Sequence, residues 1–260
     1  MTLPLVRVER RGRALWLTLS RGSALNALSR AMIAELQAAI RSASRDSSVT
    51  AVVLRSESPR AFCVGADLKE SLHMSADEAR ERHIELTSLL REVRGMPEVT
   101  VAAVGGMAVG GGLELALSCD LVVAGEEAVF ALPEVRVGLI PSGGGSRLLV
   151  HRVGVQRAKE MILFGYRMGA GEAKAAGMVA RVVPTPTLDA ACTELVAGLC
   201  QGSPVALGIA KRIVDSTLEL SAADSETLEH RGWVEAVSSP DYAEGLAAFL
   251  EKRSPAWARS

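Results

Sequence analysis

The stretch Gly105-Gly106-Met107-Ala108-Val109-Gly110-Gly111-Gly112-Leu113-Glu114 connects a predicted buried strand to a predicted helix. Three consecutive glycines allow the backbone to pass close to another group. The helix that follows would present unpaired N–H groups and the positive end of its dipole at the same place. We therefore predict a ligand-binding turn, although tight packing of the backbone alone would also favour the glycines.

A second strand-to-helix turn has related features and reads Ala61-Phe62-Cys63-Val64-Gly65-Ala66-Asp67-Leu68-Lys69-Glu70. Gly65 permits a sharp turn, and the small side chain of Ala66 leaves its backbone N–H accessible. Two N–H groups from separate turns can converge on one carbonyl oxygen and stabilise the negative charge that develops there. Asp67 and Lys69 would by default be solvated loop charges.

The glycines do not fit a nucleotide-phosphate loop. A Walker A loop requires Lys and then Ser or Thr after its last glycine, whereas Leu113 and Glu114 follow here. A dinucleotide-binding turn would require a third glycine where Leu115 stands. An oxyanion is therefore the better-matched ligand.

Two glutamates have apolar flanks near these turns. Glu114 falls in the first turn of the predicted helix, and Glu134 follows Pro133 in an apolar segment. In a dry pocket, two carboxyl groups can divide the work, with one ionised as a base and the other protonated as an acid. For either residue taken alone a structural interpretation is favoured, because the helix dipole favours Glu in a first turn and Pro-Glu commonly starts a helix.

Short apolar strands alternate with helices in the first part of the chain, which indicates an α/β fold. After about residue 181 the pattern becomes helical and is punctuated by prolines. We predict a core over residues 1–190 and a helical C-terminal region over residues 191–260. The predicted elements are a hairpin (5–8 with 14–19), strands at 51–54, 100–104 and 121–123, and helices from Ser29 to about Arg45, from Ser75 to about Gly95, from about Gly111, and over 187–201, 204–219, 224–238 and 241–252.

The composition argues against several classes of protein. Apolar residues make up 48% of the 260 residues, and the net charge is -1 without charge blocks, so nucleic acid and anionic membranes are not expected partners.

The four cysteines form no CxxC pair and the four histidines no HxxxH pair, so we expect no metal site. Cys63 and Cys119 fit small core residues better than nucleophiles. With no membrane-length apolar run and no signal-like N-terminus, a cytoplasmic location is expected.

Together, the motifs resemble the crotonase superfamily over residues 26–252. The matching segments are Asn26-Ala27-Leu28, Phe62 to Glu70, Ala108 to Asp120, Pro133 to Pro141, Gly143 to Ser146, Ala173 to Val179 and Glu244 to Arg253. The resemblance implies a crotonase-like spiral of ββα units with a helical C-terminal trimerisation region, assembled as a homotrimer or as a hexamer formed by two trimers. It also implies an acyl-CoA substrate with no separate cofactor or metal, since coenzyme A is part of the substrate.

By this resemblance the N–H groups of Ala66 and Gly111 form an oxyanion hole, and Glu114 and Glu134 are the two catalytic carboxyl groups of the hydratase branch. The implied reaction is syn addition of water to a trans-2-enoyl-CoA, as in fatty acid metabolism, with Glu134 as the expected proton donor to C2. Phe249 and Lys252 would reach CoA bound in a neighbouring subunit. The residues implied to line the substrate and CoA channel are Ala24, Leu25, Asn26, Ala27, Leu28, Ala66, Asp67, Leu68, Lys69, Gly110, Pro133, Gly138, Ser142, Phe249 and Lys252.

The chain departs from the common pattern at Ser142, where Gly is usual, and at Leu148, where Arg is usual, which affects the expected substrate choice and rate. Its motifs look most like those of methylglutaconyl-CoA hydratases of leucine breakdown. Two alternatives stay open. An isomerase or another crotonase-type chemistry on a CoA thioester would use Glu134 alone. An RNA-binding or non-catalytic relative is disfavoured, because the helix at 30–45 has three arginines and no lysine.

Overall fold

The structure, a computed structural model, describes residues 3–217 and 219–257. The ends of the predicted domain ranges at residues 1–2 and 258–260, and Leu218 within the predicted helix at 204–219, lie outside the described residues. The strands of the described chain are β1 (Val6–Arg11), β2 (Ala14–Leu19), β3 (Ala51–Ser56), β4 (Ala61–Cys63), β5 (Val99–Val104), β6 (Met107–Val109), β7 (Leu121–Gly125), β8 (Val129–Ala131), β9 (Met168–Gly169) and β10 (Arg181–Val183). Its α-helices are α1 (Arg30–Ala43), α2 (Leu68–Ser71), α3 (Ala76–Arg94), α4 (Gly111–Leu117), α5 (Gly145–Leu163), α6 (Ala170–Ala175), α7 (Leu188–Leu199), α8 (Pro204–Ser216), α9 (Ala222–Val237) and α10 (Pro240–Glu251).

The strands form two sheets that are linked by repeated strand-strand-helix units. The larger sheet has the order β1-β2-β3-β5-β7-β10 and is parallel except for the β1–β2 hairpin. The smaller sheet has the order β4-β6-β8-β9, with β9 antiparallel to β8. In successive units (β3-β4-α2, β5-β6-α4 and β7-β8-α5), one strand enters each sheet before the helix begins. The predicted α/β fold with a spiral of ββα units is therefore confirmed.

Alternate residues of the parallel strands face two separate hydrophobic cores. Leu17 and Leu54 belong to the main core, whereas their neighbours Trp16 and Val53 belong to a second core that also contains Val196 of α7. Because successive side chains of a strand point to opposite faces, both faces of the larger sheet are buried. This explains why these strands appear in the sequence as short continuous apolar runs.

Two of the predicted helix starts are set by side-chain caps. Ser29 Oγ accepts a hydrogen bond from the Met32 N–H at 3.3 Å, and α1 begins at the next residue. Ser75 and Glu78 form the predicted reciprocal capping box at the start of α3. That helix ends at a Gly95 C-cap, as expected.

The structure corrects the sequence prediction in the glycine-rich stretch at 105–112. This stretch is not a continuous turn, because residues 107–109 form β6 of the smaller sheet. In the same way, residues 61–63 form β4 immediately before the Gly65 turn. Strands of three residues are too short to show an alternating pattern, so the whole second sheet was missed.

The segment between β7 and β10 also contains elements that the sequence did not predict. The largest is α5, which is bent at Gly154, where φ is +76°. Because the bend rotates the second half of the helix relative to the first, its apolar positions do not keep one helical period. The missed elements here are β8, β9, α5 and α6.

The predicted helical C-terminal region is present as α7 to α10. Lys211 of α8 forms an ion pair with Asp120 at 2.9 Å and donates to the Glu98 carbonyl at 3.0 Å, which joins this region to the larger sheet. The domain boundary near residue 190 and the trimerisation role stay predictions. No single helix of the described chain is both long and apolar enough to cross a membrane, although Thr185–Leu199 and Pro204–Ser216, bent by 104°, meet that test as a pair.

Candidate active site

The turn at Gly65 and Ala66 is held in place by a parallel β-bridge between Leu28 and Ala66. The Leu28 N–H donates to the Gly65 carbonyl at 2.7 Å, and the Asp67 N–H donates to the Leu28 carbonyl at 3.3 Å. In a parallel bridge these two hydrogen bonds flank the central residue, whose own N–H points away from the partner strand. The N–H of Ala66 is therefore left for another acceptor.

The glycine turn before α4 lies directly against this first turn. Gly111 is the first residue of the helix, where an N–H has no acceptor within the helix itself. A Cβ built on Gly65 would lie 2.8 Å from the Gly111 nitrogen, and one built on Gly111 would lie 3.6 Å from Gly65 Cα. The two N–H groups that the resemblance assigns to an oxyanion hole thus come from adjoining turns.

The three glycines before Leu113 are explained by different constraints. Gly110 has φ +57°, a conformation that favours glycine. A side chain on Gly112 would overlap the carbonyl oxygen of Cys63. A Cβ on Gly111, in contrast, would make only ordinary contacts, the nearest at 3.5 Å from Leu86. Backbone conformation accounts for Gly110 and packing for Gly112, but neither requires glycine at Gly111, whose nitrogen lies beside the neighbouring turn.

Glu114 is buried in the first turn of α4, and a third glycine turn surrounds its carboxylate. The Gly143 and Gly145 N–H groups donate to Glu114 Oε1 at 2.7 Å and 2.9 Å. Burial raises the pKa of Glu114, while these backbone donors oppose the rise by stabilising the ionised form. The segment Gly143 to Ser146 is part of the family resemblance, but nothing in its sequence predicts that its N–H groups bind a carboxylate.

Glu134 begins a short 3-10 helix (Glu134–Val137), and its half-buried carboxyl group faces the turn at Gly110. A Cβ on Gly110 would lie 3.4 Å from Glu134 Oε1. The other oxygen, Oε2, is buried and has no hydrogen-bond partner within the described chain. Burial, with a smaller contribution from the charge of Glu114, raises the pKa of Glu134 to about 7. A group with this pKa can give or take a proton near neutral pH.

The two carboxyl groups are therefore in different chemical environments. Glu114 has two backbone donors that favour its carboxylate form, whereas one oxygen of Glu134, Oε2, is buried without a donor within the described residues. Burial raises the pKa of both groups, so the difference between them lies in their donors, and carboxyl groups in such unlike environments are typical of acid–base pairs. The arrangement can supply a base and an acid next to the two turns that are predicted to bind an oxyanion.

Most of the predicted channel segment at 24–28 is buried, and its backbone is unusual. Leu25 and Asn26 have φ values of +52° and +55°. The side chain of Asn26 is used within the protein, since it accepts from the Arg21 N–H at 2.8 Å and donates to the Phe62 carbonyl at 2.9 Å. A ligand would therefore meet the backbone of Asn26 and not its amide group. The rest of the segment consists of Ala24, Ala27 and Leu28.

Asp67 is not the solvated loop charge that its position suggested. It is only 6% exposed, accepts from the backbone of Lys69 and Glu70 at the start of α2, and pairs with Arg21 at 2.7 Å. Burial acts to raise the pKa of Asp67, but Arg21 and the backbone donors hold it below its ordinary value. Leu68 and Lys69 themselves are exposed beside it.

The remaining predicted residues are spread more widely. Pro133 precedes the 3-10 helix that begins with Glu134, and Gly138 ends it with φ +73°. Ser142 is exposed, with its Oγ 3.5 Å from His83 Nδ1. On α10, Phe249 is 82% exposed and Lys252 forms the C-cap. Within the described chain no hydrogen bond or ion pair joins these two to the glutamates, so their role at a neighbouring subunit stays a prediction.

Arg94 is a polar neighbour of the site that the sequence analysis did not single out. It occupies the last turn of α3, and its Nη1 donates to Ser118 Oγ at 3.0 Å and to the Gly143 carbonyl at 3.2 Å. A basic residue at a helix C-terminus is common because it complements the helix dipole, so no local pattern distinguished this one.

Neither metal ligands nor reactive thiols stand out in the described residues. Across 3–217 and 219–257, no group of three or more His, Cys, Asp or Glu side chains could hold a metal ion. Cys63 and Cys119 are buried, and burial raises the pKa of each thiol to about 12. Both therefore lack thiolate character and pack as small core residues, as predicted.

Comparison with known proteins agrees with this geometry. A family model described as enoyl-CoA hydratase/isomerase matches residues 10–260. Mitochondrial methylglutaconyl-CoA hydratase of Mus musculus is 35% identical over 243 residues, which is 92% of this chain and 77% of the mouse chain. A Dictyostelium discoideum protein named as a probable mitochondrial enoyl-CoA hydratase is 35% identical over 96% of this chain and 89% of its own.

Solved structures give the same result. The crystal structure of enoyl-CoA hydratase from Bacillus anthracis matches with a TM-score of 0.95 and 32% identity, covering 98% of this chain and 100% of that chain. The resemblance drawn from the ordered motifs is confirmed. The chain belongs to the enoyl-CoA hydratase/isomerase family.

Proposed function

We propose that the protein is an enoyl-CoA hydratase, which adds water to a trans-2-enoyl-CoA and releases a 3-hydroxyacyl-CoA. The observation that carries this proposal is the placement of Glu114 and Glu134, in opposite hydrogen-bonding environments, beside the turns at Ala66 and Gly111. The hydratase names of the relatives support it.

The thioester carbonyl oxygen would accept hydrogen bonds from the N–H groups of Ala66 and Gly111. Addition at C3 moves the electron pair of the double bond toward this oxygen, and the resulting enolate is stabilised by the two donors. Loss of one such donor typically costs a factor of about 10² to 10³ in turnover, or roughly 2.7–4 kcal/mol. The dipole of α4 acts in the same direction.

The glutamates would divide the proton transfers. Glu114, favoured as a carboxylate by Gly143 and Gly145, takes a proton from water while the oxygen of that water forms a bond to C3. Glu134, with a pKa raised to about 7, donates its proton to C2 as the enolate collapses. Transfer of the proton from Glu114 back to Glu134 restores the starting state, so water is the only molecule added.

The environment of Glu114 supports hydration over isomerisation. A glutamate that merely capped α4 would hydrogen-bond to the N–H groups of that helix. The Glu114 carboxylate instead accepts from Gly143 and Gly145, which belong to the turn before α5. Two carboxyl groups at the site fit the addition of water better than a proton shift that needs only one.

RNA binding is disfavoured because the arginines of α1 are already paired. Arg30 donates to Glu85 at 3.0 Å, and Arg41 donates to Glu92 at 2.8 Å, both on α3. These carboxylates neutralise the side of α1 that would otherwise attract phosphates.

The proposal includes a homotrimer or a hexamer of two trimers, with no separate cofactor and a cytoplasmic location. Exposed apolar side chains on α10, among them Leu246, Phe249 and Leu250, support burial of this helix against another subunit. Light scattering coupled to size-exclusion chromatography would give the mass of the assembly, and a monomer at micromolar concentration would contradict this part of the proposal.

The activity is tested by the loss of absorbance of the conjugated enoyl thioester. Crotonyl-CoA, longer 2-enoyl-CoAs and methylglutaconyl-CoA would be compared for wild type, Glu114→Gln and Glu134→Gln. The control is Glu127→Gln, which removes an exposed carboxylate. We expect hydration by wild type and by the control, and its loss in both site variants. Wild type that binds these thioesters but hydrates none of them would overturn the hydratase assignment.

A further inference from the structure

The guanidinium group of Arg94 lies between the end of α4 and the glycine turn before α5. Its Nη1 donates to Ser118 Oγ at 3.0 Å and to the Gly143 carbonyl at 3.2 Å. A Cβ built on Gly144 would lie 3.3 Å from the same nitrogen. The side chain is half-buried, so these contacts are partly removed from water.

Both acceptors of Arg94 connect directly to Glu114. Ser118 Oγ donates to the Glu114 carbonyl at 2.7 Å, and the Gly143 N–H donates to the Glu114 carboxylate, also at 2.7 Å. One guanidinium group therefore links the backbone of Glu114 to the turn that binds its side chain. The contacts form a closed ring from Arg94 through Ser118, Glu114 and Gly143 back to Arg94.

The turn needs such an anchor because its own backbone is unusually free. It contains Gly143, Gly144 and Gly145 in succession, and Gly144 has φ +104°. Glycine has more backbone freedom than any other residue, so a run of three does not define the direction of its N–H groups by local preference. A planar guanidinium that donates to the Gly143 carbonyl restricts this freedom.

The environment of Arg94 is costly, which argues against an incidental surface contact. Its hydrogen-bond acceptors are a hydroxyl and a carbonyl, both neutral. Burial together with the nearby Arg147 and Arg91 lowers the pKa of Arg94, and the charge of Glu114 opposes this only in part. A partly buried cation with neutral partners costs free energy that a surface arginine does not. Such a cost is typical of residues that serve a functional site.

We propose that Arg94 is a positioning residue for Glu114, because it holds the Gly143–Gly145 turn so that two N–H groups face the Glu114 carboxylate. This inference rests on the proposed hydration reaction, in which Glu114 is the base. Without Arg94 the turn relaxes, Glu114 loses its donors for part of the time, and its pKa increases further. Turnover then decreases, whereas binding of the thioester changes little.

The test compares Arg94→Met, Arg94→Lys and the matched control Arg91→Met, which removes an exposed arginine one turn earlier in α3. The kcat and KM for hydration of crotonyl-CoA would be measured across pH for each. We expect Arg94→Met to lower kcat by about tenfold to 10²-fold, the scale expected for a misplaced catalytic group. The KM of Arg94→Met should change little. The pH at which its kcat declines on the acid side should be higher than in wild type. Lysine should restore part of kcat, and Arg91→Met should match wild type.

A second measurement does not depend on activity. Amide hydrogen exchange at Gly143 and Gly145 should become faster in Arg94→Met and stay unchanged in Arg91→Met. Unchanged exchange at these amides, or wild-type kcat with an unshifted acid limb in Arg94→Met, would overturn the positioning role. If wild type hydrates no enoyl-CoA, only the proposed function is overturned. Amide exchange at Gly143 and Gly145 would still show whether Arg94 holds this turn in place.

Discussion

The N–H of Gly143 donates to Oε1 of Glu114 at 2.7 Å, which joins the turn before α5 to the first turn of α4. This bond gives Glu114 a backbone donor from a distant turn that stabilises its ionised form, whereas Oε2 of Glu134 has no donor within the described chain. The different roles that we propose for the two glutamates therefore follow from the backbone around them and not from their residue type.

The first prediction is a bell-shaped dependence of kcat/KM on pH. Glu134 must be protonated to act as the acid, so activity should decrease as the pH rises above its pKa of about 7. Glu114 must be ionised to act as the base, and its pKa is raised from 4.5, so activity should also decrease toward acid pH. Initial rates with crotonyl-CoA across pH would measure both limbs. A kcat/KM that stays constant well above neutral pH contradicts the acid role of Glu134.

The second prediction concerns stability and activity at the same residue. The pKa of Glu134 is raised from 4.5 to about 7 in the folded protein, so its contribution to stability is present below pH 4.5 and is lost as the pH rises through 7. Glu134→Gln should therefore raise the Tm relative to wild type above pH 7 and much less below pH 4.5, while hydration is lost. Thermal unfolding at several pH values checks this, and a Tm difference that does not vary with pH would argue against a buried, ionised Glu134.

The third prediction separates two adjacent glycines. In Gly112→Ala the new methyl group meets the Cys63 backbone, so we expect a loss of about 1–3 kcal/mol or more of unfolding free energy. Gly111→Ala has only ordinary contacts and should fold, so it is the matched variant. Denaturant unfolding of both proteins gives the comparison. Equal destabilisation would show that the close approach to Cys63 does not explain Gly112.

The fourth prediction addresses the support of the first turn. Asp67→Ala removes the cap of α2 and the partner of Arg21, and should cost about 0.5–2 kcal/mol from the cap alone. Because the pKa of Asp67 is lowered, this stabilisation should be present near neutral pH and be lost as the pH falls through that value. Lys69→Ala, exposed in the same turn, is the control for denaturant unfolding. A pH-independent loss, or an equal loss in the control, contradicts the capping role.

Local sequence signals were sufficient to predict structure that depends on residues close together in the chain. Ser29 and Ser75 marked the starts of their helices, because an N-cap is satisfied within one turn. The smaller sheet was missed, since strands as short as β6 have no period to detect and obtain their hydrogen bonds from distant strands. The family motifs named Glu114 and Glu134, and Arg94 had no motif because its partners are set by packing.

The sequence by itself therefore determined the α/β class, the capped starts of α1 and α3, the family and the candidate glutamates, because these depend on periodicity, caps and ordered motifs along the chain. Only the tertiary structure decided that the turns of Ala66 and Gly111 adjoin, that Asp67 is buried with Arg21, and that the Glu114 carboxylate accepts from Gly143 and Gly145. The physical reason is that the burial that raises the pKa of Glu134 to about 7, and the hydrogen bonds that Glu114 accepts from Gly143 and Gly145, arise from residues far apart in the chain.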